Sequence, residues 1–341
     1  MGSNDPPLET APKPCSQRDT GFHRFSVAPM MDWTDRHCRF FLRLLSKHAL
    51  LYTEMVTTGA LLHGDRERFL RYNECEHPLA LQLGGSNPAD LASCARLAEA
   101  AGYDEVNLNV GCPSDRVQNN MIGACLMGHP QLVADCVKAM QDVVSIPVTV
   151  KHRIGINGRD SYAELRDFVG TVATAGCRSF TVHARIAILE GLSPKENREV
   201  PPLRYEVAAQ LKQDFPDLEF ILNGGIKTLD QCRAHLQTFD GVMLGREAYH
   251  NPYVLAQVDQ QLFASDAPVI GRAEALRLLR PYIEQHLTEG GVMHHITRHV
   301  LGLGQGFPGA RRFRQLLSVD VHKVDDPLQL LDQATQLLEG H

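Results

Sequence analysis

Residues 107–128 read NLNVGCPSDRVQNNMIGACLMG, and the sixth of them is a cysteine set between Gly111 and Pro113. The stretch opens as an apolar alternation, turns sharply at 111–113 and stays polar until Ile122. A cysteine thiol, titrating ordinarily near ~8.5, holds its proton at neutral pH yet releases it to a carbanion-like carbon. Cys112 at the tip of a strand therefore reads as a general acid, held in position by its two neighbours. Cys125, in IGACLMG, is its rival. It reads as the start of the next helix, and free cysteine is among the most buried residue types. The acid is therefore assigned to Cys112, and Cys125 is expected to be structural. Cys94, Cys136 and Cys177 fall on predicted helices and take the same structural reading.

Other polar residues recur at the carboxyl ends of predicted strands. They are Ala28-Pro29-Met30-Met31-Asp32, Gln82 before Gly84-Gly85, Asn107 and Asn109 before Cys112, Lys151-His152-Arg153, His183-Ala184-Arg185, Asn223-Gly224-Gly225-Ile226 and Gly245-Arg246. Gly-rich turns after late strands expose bare backbone N–H groups that receive a phosphate. NGG at 223–225 and GR at 245–246 fit that role, Arg246 adding charge. An inward lysine without an anion is costly, so Lys151 reads as a cation beside an anionic ring system. His183, facing the same mouth, reads as a second contact to that group. No acidic cluster with metal spacing accompanies them, so a metal-free phosphorylated cofactor is expected.

Eight short apolar runs must position these ends. They cover residues 25–28, 50–53, 79–83, 105–110, 148–151, 179–183, 219–222 and 241–244. Helical segments such as 88–101 and 161–175, each closed by a glycine, separate most of them. Parallel βαβ units in that number match an α/β (β/α)8 barrel. A doubly wound open sheet stays open as an alternative, although no G-x-G-x-x-G follows the first strand. After about residue 265 the pattern is helical throughout, which predicts a small all-helical domain over 265–341 appended to a barrel over 23–264. Residues 1–22 are polar and Pro-rich and read as a disordered tail.

The chain has 341 residues, 43% hydrophobic and 22% charged, ordinary for a globular protein. No apolar run reaches the ~18–20 residues of a membrane span. Nine cysteines without a C-x-x-C pair suggest a reducing, cytoplasmic setting rather than a zinc ribbon or disulfide framework. A net charge of -6 argues against nucleic-acid binding by the whole surface and leaves room for a local basic patch.

Taken together, APMMDWTDRHCR, LQLGG, NLNVGCPSDRVQNNMIGACLM, VTVKHRIG, TVHAR, LSPKENREVPPL, NGGI and GVMLGR resemble the tRNA-dihydrouridine synthases, and within them the A subfamily. The likeness spans roughly residues 22–320. It implies FMN in the barrel mouth, NADPH as reductant, and a uridine of the tRNA D-loop, at positions 20 and 20a, as substrate. Carried over by residue, it implies that Pro29, Met30 and Met31 line the flavin and that Gln82 bonds its edge. It implies that Lys151 and His183 meet the ring, and that Asn223, Gly224, Gly225, Gly245 and Arg246 hold the phosphate. Asn109 and Arg153 would lie at the substrate, and Cys112 would protonate C5 of the uracil after hydride addition at C6. A monomer is expected.

An acidic chain needs a basic patch to hold tRNA. Residues 271–314 contain seven Arg and three Glu, and Arg311 and Arg314 sit three apart on one predicted helical face. LSPKENRE after the sixth strand adds Lys195 and Arg198. Two other readings stay open from the residues. One is a flavin barrel acting on a free pyrimidine; the other is an RNA-binding protein without catalysis.

Overall fold

The computed structural model describes residues 21–114, 121–324 and 326–339. Residues 1–20 of the expected tail lie outside them; Phe22 opens a single 3-10 turn, Phe22–Arg24, that leads into the first strand.

Nine parallel strands follow: β1 (Phe25–Val27), β2 (Leu50–Tyr52), β3 (Val56–Thr57), β4 (Leu79–Gly84), β5 (Glu105–Val110), β6 (Val148–Arg153), β7 (Ser179–His183), β8 (Glu219–Asn223) and β9 (Gly241–Leu244). Their order is β2-β1-β9-β8-β7-β6-β5-β4-β3, and a further pairing of β2 with β4 closes eight of them into a ring. The expected barrel is thus observed, and the open doubly wound sheet is excluded. β3 had no periodic signal; it is two residues paired to the end of β4.

The helices between strands start and stop where local chemistry dictates. Asn87 caps Pro88–Ala100 by accepting from the N–H groups of Ala89 and Asp90. Ser161 and Glu164 form a reciprocal capping box on Tyr162–Thr174. Gly102 and Gly176, at φ 91° and 109°, supply the left-handed residue that turns the chain back toward the sheet.

Two apolar layers result. Outward side chains such as Val106, Leu108, Val150, Phe180 and Phe220 pack under the helices. A smaller inner cluster of Ala28, Leu50, Tyr52, Ala80, Ile221 and Met243 fills one side of the barrel. The opposite side is polar. In β5 the alternation places Val106, Leu108 and Val110 outward and Glu105, Asn107 and Asn109 inward, where they hydrogen-bond to one another's neighbours.

Beyond residue 271 come the helices Arg272–Thr288, His294–Thr297, Ala310–Ser318 and Leu328–Leu338, with no strand among the described residues. The first two dock on the barrel's first helix, Arg36–Leu45, and Leu328–Leu338 packs on Arg272–Thr288. Tyr282 stacks on Phe40 at 3.9 Å and 10°, and its hydroxyl lies 2.7 Å from His37 Nδ1. Asp35, the cap of that first helix, receives Arg298 Nη2 at 2.6 Å and faces His299 Nε2 at 3.0 Å. One cysteine expectation needs correction. Cys177 is buried in the turn between Gly176 and β7, whereas Cys125 lies in the 3-10 helix Gly123–Gly128 just ahead of the α-helix Pro130–Gln141.

Candidate active site at the barrel mouth

Each sequence-predicted strand end reaches the same rim. Register pairs Asn109 with Lys151, Arg153 with His183, and His183 with Asn223, so side chains from β5 to β8 meet across the mouth.

Cys112 is half-buried on the loop after β5. Its N–H and that of Gly111 donate to Asn109 Oδ1 at 3.0 and 3.1 Å. Its carbonyl accepts from Ala124 N–H at 2.8 Å, and a Cβ on Gly123 would sit 2.4 Å from that oxygen, so glycine is required there. Both flanks of the thiol are therefore tied down. Residues 115–120 of the same stretch lie outside the described residues. Cys125 donates to Ile122 O at 3.4 Å, and burial pushes its thiol up. Like Cys112, it is half-buried.

Lys151 Nζ donates to Asn223 Oδ1 at 3.0 Å, and Asn223 Nδ2 donates to Met243 O at 2.8 Å. Burial and the neighbouring Arg153 guanidinium push the lysine down to about 7. His183 Nδ1 is buried with no hydrogen-bond partner among the described residues. Burial, with Arg153 and Lys151 beside it, holds this imidazole well below its ordinary value, so it is neutral. A buried ring nitrogen without a partner and a buried lysine without a carboxylate, both among the described residues, mark a place that can receive a polar ligand.

The turn after β8 carries Gly224 and Gly225 at φ 116° and 72°. A Cβ on Gly225 would lie 2.5 Å from Leu203, and the Gly224 carbonyl is held by Tyr205 OH at 2.6 Å. Gly245 precedes the short helix Arg246–His250. Arg246 Nη1 meets Glu199 Oε1 at 2.5 Å, and its Nη2 donates to Arg198 O at 3.2 Å. Arg246 is thus joined to the loop that carries Lys195 and Arg198. Buried Asn197 clamps that loop by bonding Ile188 at both N–H and carbonyl, at 2.7 and 2.9 Å.

Arg153 is placed differently from a free RNA contact. It is 4% exposed, and its guanidinium donates to Gly111 O, Ile186 O and Asn197 O. From the end of β6 it straps the loops after β5 and β7 together beneath the rim. At the first strand end, Pro29 and Met30 are partly covered, while Met31 is 56% exposed at the lip.

The basic stretch 271–314 also resolves into unlike residues. Arg277 pairs with Glu339, Arg280 with Glu284 and Asp332, Arg298 with Asp35, and Arg312 with Asp320. Arg272 donates to Leu303 O and lies over the Tyr253 ring at 4.0 Å. Arg311 and Arg314 are exposed on the helix Ala310–Ser318 with no ion pair among the described residues. Lys195 is exposed beside the mouth.

Asn107, Thr149, Glu105, Tyr52 and His23, to which the sequence assigned no role, complete the interior beneath Gln82. Gln82 Nε2 donates to Asn107 Oδ1 at 2.8 Å, and Asn107 Nδ2 to Thr149 Oγ1 at 2.8 Å. Thr149 in turn donates to Glu105 Oε1 at 2.6 Å. Glu105 also receives Tyr52 OH at 2.8 Å, and its other oxygen meets His23 Nε2 at 2.5 Å. The inward alternation of β5 was the available signal, but it does not reveal the partners, which come from β2, β4, β6 and the turn before β1.

No group of three or more His, Cys, Asp or Glu side chains is arranged to hold a metal among the described residues, and no described helix is long and apolar enough to cross a membrane.

A closed parallel barrel with a cationic mouth and a thiol on the loop after β5 defines a (β/α)8 enzyme. The old yellow enzyme homologue from Zymomonas mobilis superposes on it with a TM-score of 0.51 at 13% identity. That match covers 73% of this chain and 90% of that one, a likeness of fold alone. The dihydrouridine synthase family model matches residues 26–339, and the chain belongs to that family. It is 81% identical over 329 residues to the tRNA-dihydrouridine(20/20a) synthase of Pseudomonas aeruginosa, covering 96% of this chain and 99% of the relative. It is 62% identical over 316 residues to the synthase of the same name from Escherichia coli (strain K12), covering 92% of this chain and 91% of the relative.

Proposed function

We propose that the chain reduces the C5=C6 bond of uridine to 5,6-dihydrouridine at positions 20 and 20a of the tRNA D-loop, using FMN and NADPH. The substrate and positions rest on the names of relatives as similar as 81% over nearly their whole length. The observation that carries the chemistry is Cys112, tied on both flanks at the rim of a mouth that holds Lys151 and an unpartnered His183 nitrogen.

The mouth suits a flavin phosphate. Gly224 and Gly225 turn the chain at positive φ, Gly245 and Arg246 follow on the next strand end, and Lys151 has no carboxylate partner among the described residues. Bound there, FMN supplies hydride to C6 of the uracil. The chain's own residues do the rest. Lys151 offsets negative charge on the ring system, and the orphan His183 nitrogen offers a hydrogen bond. Gln82 and Asn109 orient polar edges, and the Cys112 thiol gives its proton to C5. Arg153 keeps the thiol loop and the 188–199 loop in register by bonding a carbonyl of each. Exposed Met31, Met121 and Val200, 56%, 37% and 63% accessible on three strand-end loops, give an apolar rim for a base leaving its stack.

Lys195, Arg198, Arg311 and Arg314 provide phosphate contacts for the tRNA, with the helices after residue 265 as the RNA-binding part of the chain. The working form is a monomer in the cytoplasm, where its substrate is made. The test is to express the chain in cells lacking their own 20/20a synthase and map dihydrouridine in tRNA. Restoration at positions 20 and 20a, with a yellow purified protein that NADPH bleaches, is expected. Restoration elsewhere, or a colourless active protein, overturns the assignment of position or cofactor.

A further inference from the structure

A continuous hydrogen-bonded ladder crosses the barrel interior from its floor to the Cys112 loop. Glu105 accepts from Thr149, Thr149 from Asn107, Asn107 from Gln82, Gln82 from Asn109 Nδ2 at 2.8 Å, and Asn109 from the N–H groups of Gly111 and Cys112. Every rung below Asn109 is at most 3% exposed, so water does not substitute for a lost partner.

Both ends dictate the direction of the bonds. A carboxylate only accepts, and a backbone N–H only donates. Glu105 faces His23, whose imidazole is opposed by burial but raised to about 10 by Glu105 and Glu219, so the floor is an ion pair. With Glu105 accepting, the Thr149 hydroxyl must donate downward and accept from above. Asn107 must then present its nitrogen to Thr149 and its oxygen to Gln82. Gln82 and Asn109 follow in the same sense. Reversing any one amide places oxygen against oxygen or nitrogen against nitrogen at two adjacent rungs. The strands impose the spacing: Asn107 is registered with Gln82 on one side and Thr149 on the other.

We propose that Glu105, Thr149 and Asn107 are positioning residues. Through a one-way ladder they lock the amides of Gln82 and Asn109, and so hold the backbone of Cys112 where its thiol meets the substrate. The locked amides keep one N–H each on Gln82 and Asn109 uncommitted among the described residues, so a partner bound against them must bring an acceptor such as a ring carbonyl. The inference rests on the reading of Cys112 as the acid, and its core is measurable without that reading.

The test is residue-resolved hydrogen exchange on the full chain with no cofactor or tRNA. Asn107→Leu removes both bonds of one rung. It is expected to accelerate exchange at the Gly111 and Cys112 amides by about tenfold or more while Thr181 and Leu222, on β7 and β8, keep wild-type rates. Asn107→Asp at pH 6 is expected to restore protection. Buried beside Glu105, the introduced acid stays protonated, its carbonyl accepting from Gln82 and its hydroxyl donating to Thr149. Thr149→Val should act in the same direction as Asn107→Leu and Thr149→Ser should not, which serves if the leucine variant fails to fold. In turnover, the disruptive variants should lose kcat with tRNA KM within about twofold of wild type, as expected for an interaction made at the chemical step. Wild-type exchange at both amides in Asn107→Leu, or equal behaviour of Thr149→Val and Thr149→Ser, overturns the ladder whatever the chain reduces. A wild-type chain that forms no dihydrouridine overturns the function and leaves the exchange result standing.

Discussion

The floor of the barrel and its mouth treat charge in opposite ways. At the floor, His23 sits between two carboxylates, 2.5 Å from Glu105 and 2.7 Å from Glu219. At the mouth stand Lys151, Arg153, Arg198 and Arg246, with a neutral His183 among them. Among the described residues, Glu199 on Arg246 is the one carboxylate hydrogen-bonded to these groups. Lys151 and Arg153 make do with amide and carbonyl oxygens. Charges matched within the chain favour folding. Cations left with only neutral partners cost stability and are kept where a ligand brings the anion. One end of the barrel is closed by ion pairs within the chain, and the other keeps cations whose partners are mostly neutral oxygens.

The contrast breaks most sharply in activity. Cys112→Ala should lower uridine reduction by about 10²- to 10⁴-fold, the range of a lost general acid, with thermal stability near wild type. Cys125→Ala should instead keep turnover and lose stability. Reversal of the two outcomes, read by single-turnover dihydrouridine formation and thermal melts, would exchange their roles.

The floor should respond in stability. Glu105→Ala leaves His23, Tyr52 and Thr149 without their buried acceptor and should cost about 3–5 kcal/mol in urea denaturation. A cost below about 1 kcal/mol would show that water or Glu219 takes over.

Opposite pH dependences sharpen the comparison. His23 is raised from 6.5 to about 10 by its two carboxylates against the effect of burial, so the folded chain holds its proton more tightly. Its contribution is complete below pH 6.5 and is lost as pH rises through 10. Lys151 is lowered from 10.5 to about 7, first by burial and then by Arg153, so the unfolded chain binds that proton more readily. Its effect is a gain in stability as pH rises from 7 to 10.5. Relative to wild type between pH 7 and 10, His23→Gln should tilt the stability curve upward with pH, and Lys151→Met should tilt it downward. Equal slopes in the two variants would remove the distinction between floor and mouth.

The smallest effects belong to the outer surface. Arg311→Ala with Arg314→Ala should weaken tRNA binding and flatten its salt dependence, by up to about one log–log unit per lost phosphate contact. Stability should move by no more than about 0.5 kcal/mol. Superimposable salt curves would take the helix Ala310–Ser318 out of the RNA surface.

Much of the scaffold was legible because its signals are local. Strands 105–110, 179–183 and 241–244 match their apolar runs to the residue, since alternation and flanking turn residues belong to the strand itself. β3 escaped because two residues carry no period. Cys177 escaped because the glycine that ends a helix is followed by buried chain that looks helical in composition. Cys112 and the Gly224–Gly225 turn stood out because glycine and proline punctuate the backbone wherever they occur.

What the sequence by itself determined about this protein is the barrel's units and the chemical character of their ends: a thiol, a lysine, amides and glycine turns. Tertiary structure alone decided which of those groups are spoken for. Arg153 and Arg311 look alike in the chain, yet one straps two loops beneath the rim and the other lies free of ion pairs among the described residues. Arg298 finds its carboxylate 263 residues away and Glu105 its histidine 82 residues away. The ladder likewise joins three neighbouring strands, with Glu105, Asn107 and Asn109 from β5, Gln82 from β4 and Thr149 from β6. Propensity and periodicity are properties of a few consecutive residues, whereas pairing of charge and the direction of a hydrogen bond depend on what closure of the barrel brings within about 3 Å.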